Sequence, residues 1–260
     1  MIALVLVHLF VTHYASVPSA TTSTFVNARW APGGWRAFDG ALLLFALTHG
    51  IVGVHGMLRE VVRRSRARAA LDVAAGAVTA AFLALGTATV VAVAPVRAAG
   101  PLSAYSWIPS VLTGGLVGIA TVTYVGLLLI GAALGLRLVR REPIGRWTYP
   151  GQWAFALNRA AGTGILAFLL VHVLDVALFP LAPDLYDRTV AAYAMPYLIP
   201  MEAGLVAAVV YHALDGVRLM VLEALDRRGS SMGMPSFVAL LVLTVSLSLP
   251  ALAVLLGWHW

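Results

Sequence analysis

The sequence predicts an all-α protein, a polytopic transmembrane bundle of about seven spans. Of its 260 residues, 61% are hydrophobic and only 11% are charged, whereas soluble domains carry about 25% charged residues. Seven apolar runs have or approach the length of about 20 residues that a membrane-spanning helix needs. They are Met1–Ala15, Gly40–Leu58, Ala70–Val96, Ile108–Leu136, Ala154–Phe179, Leu198–Leu222 and Phe237–Trp258.

The basic residues predict how the chain is oriented. All 17 are arginine, and 13 of them fall in the segments Arg59–Arg68, Arg137–Arg159 and Arg218–Arg228. Arg-rich loops remain in the cytoplasm, so we expect a multi-pass protein of a prokaryotic inner membrane with its N-terminus inside and its C-terminus outside. The positive charge therefore indicates membrane topology and no nucleic-acid partner. The absence of cysteine excludes thiolate zinc sites and iron–sulfur ligation within this chain.

The histidines reveal a faint internal repeat. His8 and His49 are 41 positions apart, and His172 and His212 are 40 apart. The second histidine of each couple is followed by glycine four residues later and by glutamate eleven residues later. The interpretation is a three-helix unit over residues 1–98, a connector transmembrane helix within 99–145, and a second three-helix unit over 146–260.

Intramembrane histidines are costly to bury and are usually functional, although a lone histidine can equally form an interhelical hydrogen bond. At 1.5 Å per residue, His8 and His172 lie about 12 and 11 Å from the outer ends of their spans. By the same rise, His49 and His212 lie about 15 and 9 Å from the cytoplasmic arginines. Since neutral imidazole is a haem ligand, these depths predict two haem b groups, ligated by His49–His212 inside and His8–His172 outside. His13 is the substitute if His8 is not the ligand.

Residues around the inner pair are candidates for supporting roles. Gly50, Gly53 and Gly216 would leave room for a flat macrocycle; the alternative is close helix packing. Arg218 and His55, six residues after the inner histidines, are candidate contacts for haem propionates. Ordinary positive-inside anchoring is the competing interpretation for Arg218.

Several stretches resemble a known family. "FVNARWAPGGWRAFDGALLLFALTHG" resembles the hydrophobic SdhD-type anchor of succinate dehydrogenase, and "LNRAAGTGILAFLLVHVLDVAL" and "YHALDGVRLMVLE" resemble its SdhC-type cytochrome b anchor. The chain thus resembles a fusion of the two membrane subunits of a succinate dehydrogenase or fumarate reductase. The resemblance implies haem b on His49 and His212, with His8 and His172 as the added ligands of two-haem members.

The resemblance also implies partners and a substrate. It implies flavoprotein and iron–sulfur subunits docked at the cytoplasmic face, and a quinone site at Arg159, beside which lies Trp153. The chain departs from the family pattern there: Asn158 replaces a histidine, Phe155 replaces a serine, and Glu60 with the following valine replaces an Asp-Tyr pair.

These observations favour a subunit that passes electrons from a cytoplasmic iron–sulfur partner to membrane quinone. Succinate oxidation would belong to the partner, because this chain has no nucleotide-binding fingerprint. The alternatives are a diheme cytochrome b of another quinone-linked dehydrogenase, a non-redox transporter built on the repeat, and a haem-free anchor whose histidines only form hydrogen bonds.

Overall fold

A computed structural model describes residues 1–91, 150–225 and 233–258. Within these ranges the chain is helical and contains no strand, which confirms the predicted all-α class. The α-helices are α1 Ile2–Leu9, α2 Ser23–Trp30, α3 Gly33–Val61, α4 Ser65–Val91, α5 Pro150–Leu181, α6 Pro183–Ala192, α7 Ile199–Ala224 and α8 Met234–Leu255. A π-helical turn, Phe10–Tyr14, continues α1, and a short 3₁₀ turn, Pro18–Ala20, precedes α2.

Five helices of the described ranges are long and apolar enough to cross a membrane: α3, α4, α5, α7 and α8. They correspond to five of the seven predicted runs. The first run is a shorter apolar helix, Ile2–Tyr14, and the fourth, Ile108–Leu136, lies outside the described residues. The helix α3 begins at Gly33, before the predicted run that starts at Gly40. The predicted run starts late because the first turns of α3 carry polar side chains, including Arg36 and Asp39, which do not count toward an apolar run.

Contacts near the helix ends give the relative directions of three spanning helices. Arg159 near the start of α5 pairs with Glu60 near the end of α3, so these helices are antiparallel. His55 of α3 contacts Asp72 near the start of α4, so α3 and α4 are also antiparallel. Consequently α4 and α5 run in the same direction, as the two-unit interpretation requires. We call the end of the bundle that holds Glu60 and Arg159 the Arg-rich end.

The opposite end carries a feature that the sequence did not predict. The short helices α2 and α6 pack together there, with Trp30 against Phe179 and Tyr186. The Asp187 carboxylate accepts hydrogen bonds from the Ser23 backbone N–H at 2.6 Å and from its hydroxyl at 2.7 Å. Burial raises the pKa of Tyr186 to about 12, and its hydroxyl donates to the Thr21 carbonyl at 2.8 Å. We call α2 and α6 the cap.

The first helix packs against the second half of the chain. Leu9 lies with Val206 and Val210 of α7 and Ala251 of α8, and the Tyr14 hydroxyl donates to the Leu247 carbonyl at 2.6 Å. The helices before residue 92 are therefore interleaved with those after residue 149. The predicted division into residues 1–98, 99–145 and 146–260 stays a prediction.

Candidate functional site

The four intramembrane histidines form two pairs in the structure. The rings of His49 on α3 and His212 on α7 have centroids 6.1 Å apart and an interplanar angle of 66°. The rings of His8 on α1 and His172 on α5 have centroids 6.2 Å apart and an interplanar angle of 75°. The first pair lies toward the Arg-rich end and the second toward the cap. The pairing by depth in the sequence is the pairing that the fold brings together.

The separation within each pair suits two ligands of one metal ion. A metal–imidazole bond is about 2.0–2.1 Å long, and a ring nitrogen lies about 1.2 Å from its centroid, so two imidazoles on one metal ion have centroids at most about 6.5 Å apart. Edge-to-face aromatic pairs have centroids 4.5–7 Å apart, so this distance alone also fits simple packing. The contacts of the second ring nitrogen provide a further criterion.

In the inner pair, the environment of His212 leaves one nitrogen available. Its Nδ1 lies 3.3 Å from the Asn158 carbonyl oxygen. A carbonyl can only accept, so Nδ1 carries the proton and Nε2 keeps its lone pair, as in metal-binding histidines. Gly162 makes space for this ring, since a Cβ there would lie 3.0 Å from the His212 Cε1.

The three glycines singled out in the sequence differ in their surroundings. A Cβ added at Gly53 or Gly216 would meet nothing within 4 Å, so open space remains beside these positions. A Cβ at Gly50 would meet the Leu166 Cδ1 at 2.9 Å. Gly50 therefore serves close helix packing, whereas Gly53 is exposed and Gly216 is half-buried, so the predicted room beside the inner histidines stays a prediction.

In the outer pair, His8 faces a carboxylate. Its Nδ1 is buried, lies 3.6 Å from Asp39 Oδ1, and forms no hydrogen bond within the described residues. The His172 ring stacks on Phe168, with centroids 5.4 Å apart and planes at 16°. His13 instead has its Nδ1 2.8 Å from the Thr12 hydroxyl, within the π-helical turn. The structure thus pairs His8, and not its predicted substitute His13, with His172.

Both candidate propionate contacts are engaged by carboxylates. The His55 Nε2 lies 2.7 Å from Asp72 Oδ1 of α4. The Arg218 Nε donates to Asp215 Oδ1 at 2.7 Å, and the Asn158 amide donates to Asp215 Oδ2 at 2.7 Å. Asp215 is only 1% exposed. Sequence reasoning missed this buried carboxylate, which links α5 to α7 one turn from His212.

The predicted quinone contact, Arg159, is also paired. Its guanidinium donates to Glu60 through NH1 at 2.9 Å and NH2 at 3.1 Å, and its Cζ lies 4.2 Å from the centroid of the Phe155 ring. Glu60 and Phe155 are two of the positions where the sequence departs from the family pattern. Trp153 is exposed on the same helix. The departures therefore cluster around Arg159 and supply its partners.

Two further buried carboxyls near the cap were not predicted. Asp175 on α5 accepts a hydrogen bond from the Tyr193 hydroxyl at 2.8 Å. Burial raises the pKa of Tyr193, which keeps this donor protonated. Glu202 on α7 is 4% exposed, and its Oε1 has no hydrogen-bond partner among the described residues.

Comparison with known proteins identifies the family. The family model for the succinate dehydrogenase/fumarate reductase transmembrane subunit matches residues 137–249. A succinate dehydrogenase hydrophobic membrane anchor subunit of Halobacterium salinarum is 30% identical over 109 residues, which cover 38% of this chain and 78% of that subunit. The chain belongs to the succinate dehydrogenase/fumarate reductase membrane-anchor family.

A second relative matches this anchor over a shorter stretch. The succinate dehydrogenase 2 membrane subunit SdhC of Mycobacterium tuberculosis is 43% identical over 74 residues, which cover 28% of this chain and 54% of that subunit. The match thus spans about half of the mycobacterial relative. No solved structure matches the anchor. The family model covers His172 and His212, whereas His8 and His49 precede the matched residues. The comparisons and the spanning helices establish a multi-pass membrane-anchor subunit.

Proposed function

We propose that this anchor carries two haem b groups and passes electrons from a cytoplasmic iron–sulfur partner to membrane quinone, within a succinate:quinone oxidoreductase. The observation that carries the proposal is the pair of histidine contacts, His49–His212 and His8–His172, at ring separations of 6.1 and 6.2 Å. One histidine contact could be packing. Two contacts with the same separation, at two depths of one bundle, favour two sites of the same kind.

The residues present fit haem b. The donor set in each pair is two imidazoles, which is a ligand set that haem iron accepts. The His212 Nδ1–H points to a backbone carbonyl, which frees Nε2. The absence of a side chain at Gly162 leaves room for the His212 ring. Haem bound there would supply one-electron reduction and oxidation, while the protein holds and orients its ligands.

The partner would dock at the Arg-rich end. Arg59, Arg63, Arg64, Arg66 and Arg68 are all exposed at the junction of α3 and α4. Such a cluster would steer an acidic face of an iron–sulfur subunit toward the inner histidine pair. The flavoprotein, which would oxidise succinate, would dock through that subunit. The remaining arginines of the Arg-rich segments, those between residues 137 and 146 and those after Leu225, lie outside the described residues.

Quinone would bind beside Arg159. The guanidinium over the Phe155 ring forms a mixed polar and aromatic surface at the Arg-rich end, and Trp153 is exposed elsewhere on the same helix. Small-molecule sites combine apolar walls with a few polar groups. Because Arg159 is bound in a fork by Glu60, a quinone carbonyl would have to share or displace that carboxylate. If quinone binds at the cap end instead, the outer histidine pair becomes the last protein site before it.

The test is a haem count on the purified membrane complex. We expect two haem b groups per anchor by pyridine haemochrome, and a reduced-minus-oxidised spectrum with two components. His212→Ala should remove one component and His172→Ala the other. His13→Ala is the matched control and should retain both, since the ring of His13 is paired with Thr12. A complex without haem would support the haem-free anchor, and one haem per chain would contradict the two-site proposal.

A further inference from the structure

We propose that Asp39 is a positioning residue for the outer haem, acting through His8; this inference rests on the proposed function. Its carboxylate would hold the His8 ring through Nδ1 and place a negative charge beside the ligand. The cap helix α2, in turn, would hold Asp39. Asp39 would therefore help to set the reduction potential of the outer site.

Asp39 is fixed from the side of the cap. Its Oδ1 accepts a hydrogen bond from Arg29 NH2 at 3.0 Å, and its Oδ2 accepts one from the Trp30 indole N–H at 2.8 Å. Arg29 also lies over the ring of Trp35, with its Cζ 4.4 Å from the centroid. The Trp30 ring is 4% exposed and packs on Phe179. Both donors are thus held by their own packing, so the carboxylate has little freedom to turn away.

The third neighbour of Asp39 is the unpartnered nitrogen of His8. Nδ1 of His8 is buried, and its nearest acidic contact is Asp39 Oδ1 at 3.6 Å. A ligating histidine almost always donates its other N–H to a carboxylate, carbonyl or water, which fixes its tautomer and increases its basicity as a ligand. A small rotation of His8 would bring the two atoms to hydrogen-bond distance. The hydrogen bonds of Asp39 with Arg29 and Trp30 are explained by the anchoring of α2. The contact of Asp39 with His8 is not explained in this way.

The two histidine pairs therefore differ in the charge of their supporting acceptor. His212 faces the neutral carbonyl of Asn158, whereas His8 faces a carboxylate. A negative charge beside an imidazole ligand stabilises the oxidised iron relative to the reduced iron, because oxidation adds a positive charge to the site. Arg29 offsets part of the Asp39 charge. Asp39 should thus lower the potential of the outer site without affecting the inner one.

The experiment is a redox titration of both haems in the purified complex, with the outer component identified from His172→Ala. Asp39→Asn keeps the shape of the side chain and removes its charge. We expect both haems to be retained and the outer haem to become about tenfold easier to reduce, which for one electron is about 59 mV. The inner haem should be unchanged. Asp187→Asn is the matched control, since it weakens the attachment of the cap at Ser23 without touching Asp39.

The outcomes separate the possible failures. A wild-type complex with no second haem would contradict the proposed function. It would not contradict the observed contact between Asp39 and His8. An unchanged outer potential in Asp39→Asn, with both haems present, would overturn the role of Asp39. An equal shift in Asp187→Asn would also overturn it, because the effect would then come from a loosened cap. If Asp39→Asn loses the outer haem, restoration of haem and potential in Asp39→Glu supports the carboxylate, and failure of that variant contradicts it.

Discussion

Gly162→Ala offers a test of the inner site that leaves both ligands in place. Gly162 lies on α5 opposite the His212 ring, where an added Cβ would be 3.0 Å from Cε1 and 3.3 Å from Nδ1. Ordinary van der Waals contact begins at 3.4 Å, so the ring would have to move by about 0.4 Å, the difference between 3.4 and 3.0 Å. The hydrogen bond from Nδ1 to the Asn158 carbonyl is already 3.3 Å long and would be stretched or lost.

Three effects of this substitution compete. Alanine is favoured over glycine in a helix by about 1 kcal/mol. Overpacking a tight site costs about 1–3 kcal/mol. A metal site tolerates ligand displacements of about 0.2 Å, and losing an outer-shell partner lowers metal affinity about 10–100-fold. The displacement of His212 exceeds the tolerance, so we expect Gly162→Ala to weaken inner haem binding by at least about tenfold while the helix itself is retained.

The assay is haem content and the inner spectral component in purified complexes, compared at equal protein. Gly204→Ala on α7 is the matched control, because a Cβ there would meet nothing within 4 Å, and it should retain both haems. Loss of the inner component in Gly162→Ala, with the outer component intact, would support inner ligation by His212. Full retention of both components in Gly162→Ala, with unchanged potentials, would refute the inference that this ring is a ligand held in place by the glycine.

Two further predictions concern the Arg-rich end. Arg159→Leu removes the partner of Glu60, a half-exposed carboxylate, so the loss of folding stability should stay within about 1 kcal/mol. Quinone reduction should fall at least tenfold, with both haems still reducible by dithionite. Unchanged turnover would instead indicate a quinone site toward the cap. Charge reversal of exposed Arg64 and Arg66 should release the iron–sulfur partner in pull-downs without changing membrane insertion, and a complex that stays intact would limit these residues to setting topology.

The sequence was informative about the histidines because helix geometry is regular. With a fixed rise per residue, a position along a span becomes a depth in the membrane. The rise per residue predicts similar depths for His8 and His172, and the structure places their rings together. The same reasoning paired His49 with His212. Depth is a one-dimensional quantity, and an apolar run with polar ends specifies it well.

The partners of the polar side chains could not be predicted in the same way. Whether Arg159 contacts quinone or Glu60 depends on how α3 is rotated about its own axis relative to α5. The sequence of an almost uniformly apolar helix does not specify that rotation. The same holds for the hydrogen bond from Asn158 of α5 to Asp215 of α7. The cap was not predicted for a different reason. Its helices α2 and α6 are 8 and 10 residues long, and both are shorter than the apolar runs by which spanning helices are recognised.

The histidine pairs also connect parts of the chain that are far apart in sequence. Each joins a helix before residue 92 to a helix after residue 149, and these pairs add to extensive packing between the two parts, such as that of Leu47 with Leu166, and to the Arg159–Glu60 fork. A ligand that binds only the folded arrangement stabilises it in proportion to its binding free energy. When the ligands of a metal come from two separate segments, metal binding likewise stabilises the assembly of those segments. In the proposed function, haem binding would therefore add to the packing contacts that hold the two parts of the bundle together.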